Sequence, residues 1–385
     1  MKAFYKFWVI GLLCFPVLTS SQEIEADLWK MMDKPHESVD FMEFTPDGEY
    51  LITASNANED KSIKLWDVST GELAKILVED DYWKLALDIS PDGKYLAYGN
   101  WKAEIKLISL ETGRLVRTFR GHSFDVRDIV FSPNGKYLVS GCRYQNKDKD
   151  YTGIRVWSVM DGTLIRQFDG FCEGLGSMQF SPDGKLLLHS YDRVDTWLLS
   201  QDLIDFPTNK LIRRYRLYQL YKWLNNRKFM ELVLTKNPSN FSPTYRYSRH
   251  IHDIKTGFRE EKRDGNIRSD DKYFVTMTPD NSTSVWRTKL SDNVYDLIFE
   301  SEETNEMVGQ LGGVDVNYSI SHKVTFSHDG KYLATVGTKK EAFFDKNLKP
   351  QTRSFQAIAI WKMEGIKAAK PVEIADYTLT PTPLA

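Results

Sequence analysis

The chain has 385 residues, 41% hydrophobic and 13% aromatic, with 51 Lys and Arg against 53 Asp and Glu and a formal net charge of −2. A balance so near neutrality excludes capture of nucleic acid or of an acidic membrane by the molecule's overall charge. That length normally implies two or more domains, unless internal repeats build one large domain of β type.

At the N-terminus, Lys2 and Lys6 precede an apolar run over 7–18 that ends in Thr19, Ser20 and Ser21. This is the pattern of a secretory signal cleaved before Gln22; an uncleaved anchor is the alternative. The run is short for a bilayer span, and Gln22-Glu23 ends it. Cys14 follows bulky Leu13, which does not suit a lipid-modified cysteine. The expectation is a signal peptide over 1–21 and a domain over 22–385 that is exported, periplasmic or secreted, with Cys142 and Cys172 in an oxidising compartment.

From residue 44 the chain repeats one motif: Phe44-Thr-Pro-Asp-Gly-Glu-Tyr-Leu51, Ile89-Ser-Pro-Asp-Gly-Lys-Tyr-Leu96, Phe131-Ser-Pro-Asn-Gly-Lys-Tyr-Leu138, Phe180-Ser-Pro-Asp-Gly-Lys-Leu-Leu187 and Phe326-Ser-His-Asp-Gly-Lys-Tyr-Leu333. Weaker copies stand at Trp223-Leu-Asn-Asn-Arg-Lys-Phe-Met230 and Ile267-Arg-Ser-Asp-Asp-Lys-Tyr-Phe274. The anchors at 44, 89, 131, 180, 223, 267 and 326 define seven units of propeller-like period. Proline, Asx and glycine supply the turn, and an apolar strand lies on either side. A third alternating strand follows, as in Ile63-Lys-Leu-Trp-Asp67, Ile154-Arg-Val-Trp157 and Ile358-Ala-Ile-Trp361. A Gly turn such as Thr70-Gly71 or Asp161-Gly162 leads to a fourth strand.

Trp66-Asp67, Gly121-His122 and the strand spacing resemble the WD-repeat β-propeller family over roughly residues 36 to 377. The resemblance implies an all-β, seven-bladed propeller of four-stranded antiparallel blades, which bury each other's faces. Residues 370–377 or 24–32 should supply the last blade's outermost strand. The family's buried His, hydroxyl, Asp and Trp network can be placed twice, as His36, Thr53, Asp60 and Trp66 in blade one and as His122, Ser140, Asp150 and Trp157 in blade three. Blade two puts Tyr98 and Ile108 there and lacks it. A His, hydroxyl and carboxylate also describe a nucleophilic triad, but a structural role explains them better, since buried polar groups need partners.

His250 and His252 share a strand face beside Asp253, yet no third ligand stands at useful spacing, so no metal and no cofactor is expected. The stretch 210–228 carries Lys210, Arg213, Arg214, Arg216, Lys222, Arg227 and Lys228 with no acidic residue. It reads as a charged outer strand followed by an aromatic inner one, or as a blade-five patch for an anionic glycan. The loops joining second to third strands and blade to blade emerge on one face. Two of them, 142–151 and 338–356, are long. Candidate partner contacts there are Tyr82, Trp83, Phe124, Arg127, Phe343, Phe344 and Phe355. Cys142 and Cys172 approach this face and could form a disulfide. Glu43, Asp88, Val130, Gln179, Lys222, Asn266 and Thr325, each preceding an anchor, should line the central channel.

The reading is a monomeric, non-catalytic exported module that holds a protein or peptide. The alternatives are a glycan binder through the basic segment and a hydrolase or lactonase with a site at the channel mouth, drawing on Glu43 or Asp88.

Overall fold

The turn motif works through its side chains. In the computed structural model, Ser90 Oγ donates to Asp92 Oδ1 at 2.6 Å and accepts from the Tyr95 amide at 2.9 Å, while the Lys94 amide donates to Asp92 Oδ1 at 3.1 Å. Gly93 sits at φ 69°, the left-handed conformation glycine adopts without strain. Thr45, Ser132, Ser181 and Ser327 rebuild the same loop with Asp47, Asn134, Asp183 and Asp329. His328 replaces proline in the last copy without changing it, because the hydroxyl and the carboxylate set the turn.

The structure describes residues 25–379 apart from 34, 58–59, 81–82, 143–152, 169–173, 193–198, 217–221, 224–225, 237–244, 256–258, 268–271, 278–282, 292–293, 297–317, 345–349 and 365–372. These residues form seven antiparallel sheets, the blades of an all-β propeller. From inner to outer strand, blade one is Phe41–Phe44, Tyr50–Ala54, Ser62–Asp67 and Leu73–Glu79; blade two is Lys84–Ile89, Tyr95–Asn100, Glu104–Ser109 and Leu115–Arg120. Blade three is Val126–Phe131, Tyr137–Cys142, Ile154–Ser158 and Leu164–Phe168; blade four is Gly174–Phe180, Leu186–Asp192, Leu199–Asp205 and Lys210–Arg216. Blade five comprises Lys222–Trp223, Lys228–Lys236, Tyr245–Asp253 and Arg259–Ile267.

Blade six departs from the expected register. Its described strands are Lys272–Met277, Thr283–Ser291 and Val294–Asp296, whereas Ile267, expected to end its inner strand, ends the outer strand of blade five opposite Tyr245. The segment Arg-Glu-Glu-Lys-Arg-Asp-Gly-Asn-Ile is too charged for a channel-side strand and suits a solvated edge.

Blade seven comprises Tyr318–Phe326, Tyr332–Phe344 and Pro350–Glu364, and its outermost strand is the N-terminal Glu25–Asp33, paired from Glu25 opposite Glu364 to Asp33 opposite Ala357. The N-terminal segment, of the two possible, therefore closes the ring. Trp29 Nε1 donates to the Val68 carbonyl at 3.2 Å, tying this strand to blade one. The long 338–356 loop is instead a ribbon, with Phe343 opposite Gln351 and Phe344 opposite Pro350. Seven further cross-strand pairs, from Thr338 opposite Gln356 to Phe344 opposite Pro350, carry the second and third strands past the blade.

Apolar clusters lie between blades. Met32, Val39, Phe44, Leu51, Val336 and Ile358 join blade seven to blade one, and Ile105, Phe119, Val126, Ile129 and Trp157 join two to three. Basic outer-strand residues add clamps to the next blade's turn. Lys75 reaches the Glu111 carbonyl; Arg117 donates to Asp161 O at 2.6 Å and Met160 O at 2.8 Å; Arg166 donates to Phe206 O at 2.9 Å.

Candidate functional site: the loop face of blade two

Blade one carries the expected relay. Trp66 Nε1 donates to Thr53 Oγ1 at 2.8 Å, Thr53 meets His36 Nε2 at 2.8 Å, and His36 Nδ1 meets Asp60 Oδ2 at 2.7 Å. Since Thr53 accepts from the indole, its own hydrogen goes to Nε2, leaving Nδ1–H to donate to Asp60. Burial holds His36 below its ordinary pKa. Burial raises Asp60, but bonds from Ser62 and His36 outweigh it, so the carboxyl titrates low. Thr53 is fully buried, so no substrate can meet its hydroxyl and the relay is structural.

In blade three Trp157 Nε1 donates to Ser140 at 2.7 Å and His122 Nε2 meets the same hydroxyl at 2.6 Å; Asp150 lies outside the described residues. Sequence reasoning missed a related pair in blade seven, where Trp361 Nε1 donates to Thr335 Oγ1 at 3.1 Å. The signal was present, because Thr53, Ser140 and Thr335 all stand nine residues after their anchors. Replacing Thr335 by Val keeps its volume and orphans a fully buried indole N–H, so a loss of about 1–3 kcal/mol is expected in urea unfolding.

Blade two answers the missing relay with charge. Tyr98 Oη donates to Asp80 Oδ2 at 3.2 Å, and Lys84 and Lys106 approach Asp80 at 2.7 and 3.4 Å. Burial lowers the Lys84 pKa and, with the Asp80 charge, raises that of Tyr98. Asn56, from blade one, brackets the start of the inner strand: its Nδ2 donates to Lys84 O at 2.8 Å and its Oδ1 accepts the Lys84 amide at 2.7 Å. Asn100 Oδ1 accepts the amides of Lys102 at 3.0 Å and Glu104 at 3.1 Å, making a tight turn with Ala103 at φ 63°.

These fixed loops hold two tryptophans in water. Trp83 is 50% and Trp101 54% exposed. Lys84 pairs with Asn100 at the end of the ladder, so residues 83 and 101 follow on from the same cross-strand pair. Trp83 was a candidate from sequence; Trp101 was missed, although its place in a second-to-third-strand turn puts it on the same face.

The other candidates scatter. Tyr82 lies outside the described residues, as does Cys172; Cys142 is a buried free thiol. Phe124 and Phe355 are half-buried. Arg127 Nη2 lies 2.5 Å from Asp125. Phe343 and Phe344 stand at the end of the ribbon. The basic run divides: Arg213, Arg214 and Arg216 lie on the outer strand of blade four, Lys222 starts the inner strand of blade five, and Arg227 follows in a turn. Arg214 pairs with Asp202 through two bonds of 2.6 and 2.8 Å, and the Arg213 guanidinium stands 5.9 Å from the Tyr215 ring.

On the channel side Asp88 is half-buried, with Oδ2 accepting the Phe131 amide of the next blade at 2.5 Å. Asp128, not foreseen, repeats this one blade on, accepting the Met178 amide at 2.5 Å. Val130 is only half-buried and packs against the core between blades three and four. No cluster of three His, Cys, Asp or Glu suited to a metal occurs among the described residues.

The family model described as "WD domain, G-beta repeat" matches residues 31–67 and 113–158, each match ending at the tryptophan strand of its blade. These two segments are WD repeats, and the seven sheets are the blades of a β-propeller. Among solved structures, the propeller is similar to Kuenenia stuttgartiensis hydrazine synthase, at 16% identity and a TM-score of 0.50 over 80% of this chain and 78% of that one. At that identity the likeness concerns the fold alone. No curated protein sequence matches the chain.

Proposed function

We propose that this WD-repeat propeller is a non-catalytic, exported binding module that holds a protein or peptide on its loop face, with Trp83 and Trp101 of blade two as the anchors. One observation carries the reading: two half-exposed indoles flank one cross-strand pair on loops stiffened by Asn56 and Asn100. A large aromatic held in water on a rigid loop contributes little to folding, and such residues dominate protein interfaces because little entropy is lost when they are covered. Export rests on the basic and apolar N-terminal sequence.

The test is affinity capture with residues 22–385 as bait in extract of the exporting compartment. The W83A/W101A double variant is expected to weaken the captured partner by at least about 2 kcal/mol, roughly thirtyfold, with an unchanged unfolding midpoint. A Phe343/Phe344→Ala bait serves as comparison. Loss with that bait alone would move the site to the ribbon of blade seven. Loss only on reversing Arg213 and Arg216, with steep salt dependence, would favour an anionic ligand at the rim of blade four.

A further inference from the structure

The face opposite these loops carries the turns between first and second strands, and there the chain docks its own C-terminal segment. Residues 373–379 form no strand with any blade. They lie instead across the Pro-Asn-Gly turn of blade three and the Pro-Asp-Gly turn of blade four. The Ala375 amide donates to Asp183 O at 2.9 Å and its carbonyl accepts from Asn134 Nδ2 at 3.5 Å. Asp376 meets Lys136 Nζ at 2.5 Å. Tyr377 stacks on Tyr137 with ring centres 6.0 Å apart and planes 6° from parallel, stands edge-on to Phe206 at 5.9 Å, and donates its hydroxyl to Gly184 O at 2.8 Å. The Leu379 amide donates to Tyr137 Oη at 2.7 Å, and its side chain, 5% exposed, enters the apolar cluster of Tyr137, Phe180 and Phe206.

This is how a cleft reads an extended peptide. Backbone bonds set its course, and alternate side chains enter pockets. The three side chains engaged are an acid facing a lysine, a tyrosine whose hydroxyl is capped, and a buried leucine. Crossing two blades requires none of these. A polar tail would serve as well, and blades three and four already share a core through Val139, Val156, Met178 and Leu187.

We infer that the cleft between blades three and four on the turn face is a recognition site for an extended peptide of the pattern Asp-Tyr-x-Leu, occupied here in cis by the chain's own residues 376–379. It is a second binding site, independent of the tryptophan pair. Its ligand class is a peptide presenting tyrosine two residues before leucine, with an acid ahead of the tyrosine. Tethering keeps the tail at an effective concentration of about millimolar, so an outside peptide must compete with it.

The experiment uses the full chain with a protease site replacing residues 366–371 and a fluorescent peptide Glu-Ile-Ala-Asp-Tyr-Thr-Leu. Before cleavage the peptide should bind weakly. After cleavage its apparent Kd should fall at least tenfold, and the same peptide with alanine for tyrosine should not compete. The uncut full-length Tyr377→Ala variant, whose own tail lacks its anchor, should bind the labelled peptide without cleavage, which keeps the test decisive if the cut protein loses its fold. No binding by either protein, or equal binding of the alanine peptide, overturns the inference.

Discussion

A protein that begins at Pro35, lacking the strand Glu25–Asp33, is expected to lose on the order of 5 kcal/mol of stability. That strand supplies eight cross-strand pairs to Pro350–Glu364 and places Met32, 4% exposed, in the cluster between blades seven and one. Removing a buried methionine costs about 2–5 kcal/mol, and the lost ladder bonds contribute roughly 1 kcal/mol each before the exposed edge is resolvated. The loss acts on the whole ring, because blade seven is the joint between the first and last repeats. Urea unfolding followed by tryptophan fluorescence measures it. The single variant Met32→Ala should account for about half the effect. An unchanged midpoint on deletion would mean that the ring does not depend on this joint.

Asp128→Asn should reverse its effect with pH. Burial pushes the Asp128 carboxyl up to about 7, although the Met178 and Ile129 amides donate to it and favour its ionised form. In the unfolded chain it titrates near its ordinary value of about 4. Between those values the folded protein holds a proton that the unfolded chain has released. This contribution to stability is therefore complete below about pH 4 and is lost as pH rises through about 7. Three units correspond to about 4 kcal/mol at pH 8. Asparagine carries no charge, so the variant should be more stable than the native protein at pH 8. Below pH 4 it should be less stable by about 1 kcal/mol, since its single amide oxygen cannot serve both donors as the carboxyl does. Asp88, raised by burial and by Glu43 and Asp128, acts in the same direction.

The buried histidines oppose it. His122 is lowered to about 3 and His189 to about 4, chiefly by burial, so their contribution is complete above about 6.5 and is lost as pH falls. Subtracting the stability curve of Asp128→Asn from that of the native protein removes the histidines and leaves Asp128 together with its coupling to Asp88. A flat difference from pH 4 to 8 would mean that Asp128 is hydrated and ionised at neutral pH.

The propeller was legible because its information is local and repeated. Ser-Pro-Asp-Gly builds its turn from residues within five positions, so each copy announces a hairpin wherever it stands. The relay of His36, Thr53, Asp60 and Trp66 was equally legible, because its spacing follows from strand lengths. Blade six was not, because its copy of the motif lacks the turn residues and the charged strand Arg259–Ile267 could join either neighbour. Trp101 was overlooked because exposure is invisible in a sequence whose other tryptophans, such as Trp157 and Trp361, are core.

The sequence by itself determined the number and period of the repeats, the chemistry of their turns, the buried relay of blade one and the His122, Ser140 and Trp157 part of that in blade three, all of which depend on neighbours along one chain segment. Which end closes the ring was open, since both terminal segments carry apolar residues at strand spacing. Tertiary structure decided it: the N-terminal strand found the free edge of Pro350–Glu364, and the C-terminal segment, carrying Tyr377 and Leu379, found a deeper aromatic cleft on blades distant in sequence. Pairing of that kind depends on surfaces assembled from several repeats at once, and no local pattern in either partner encodes it.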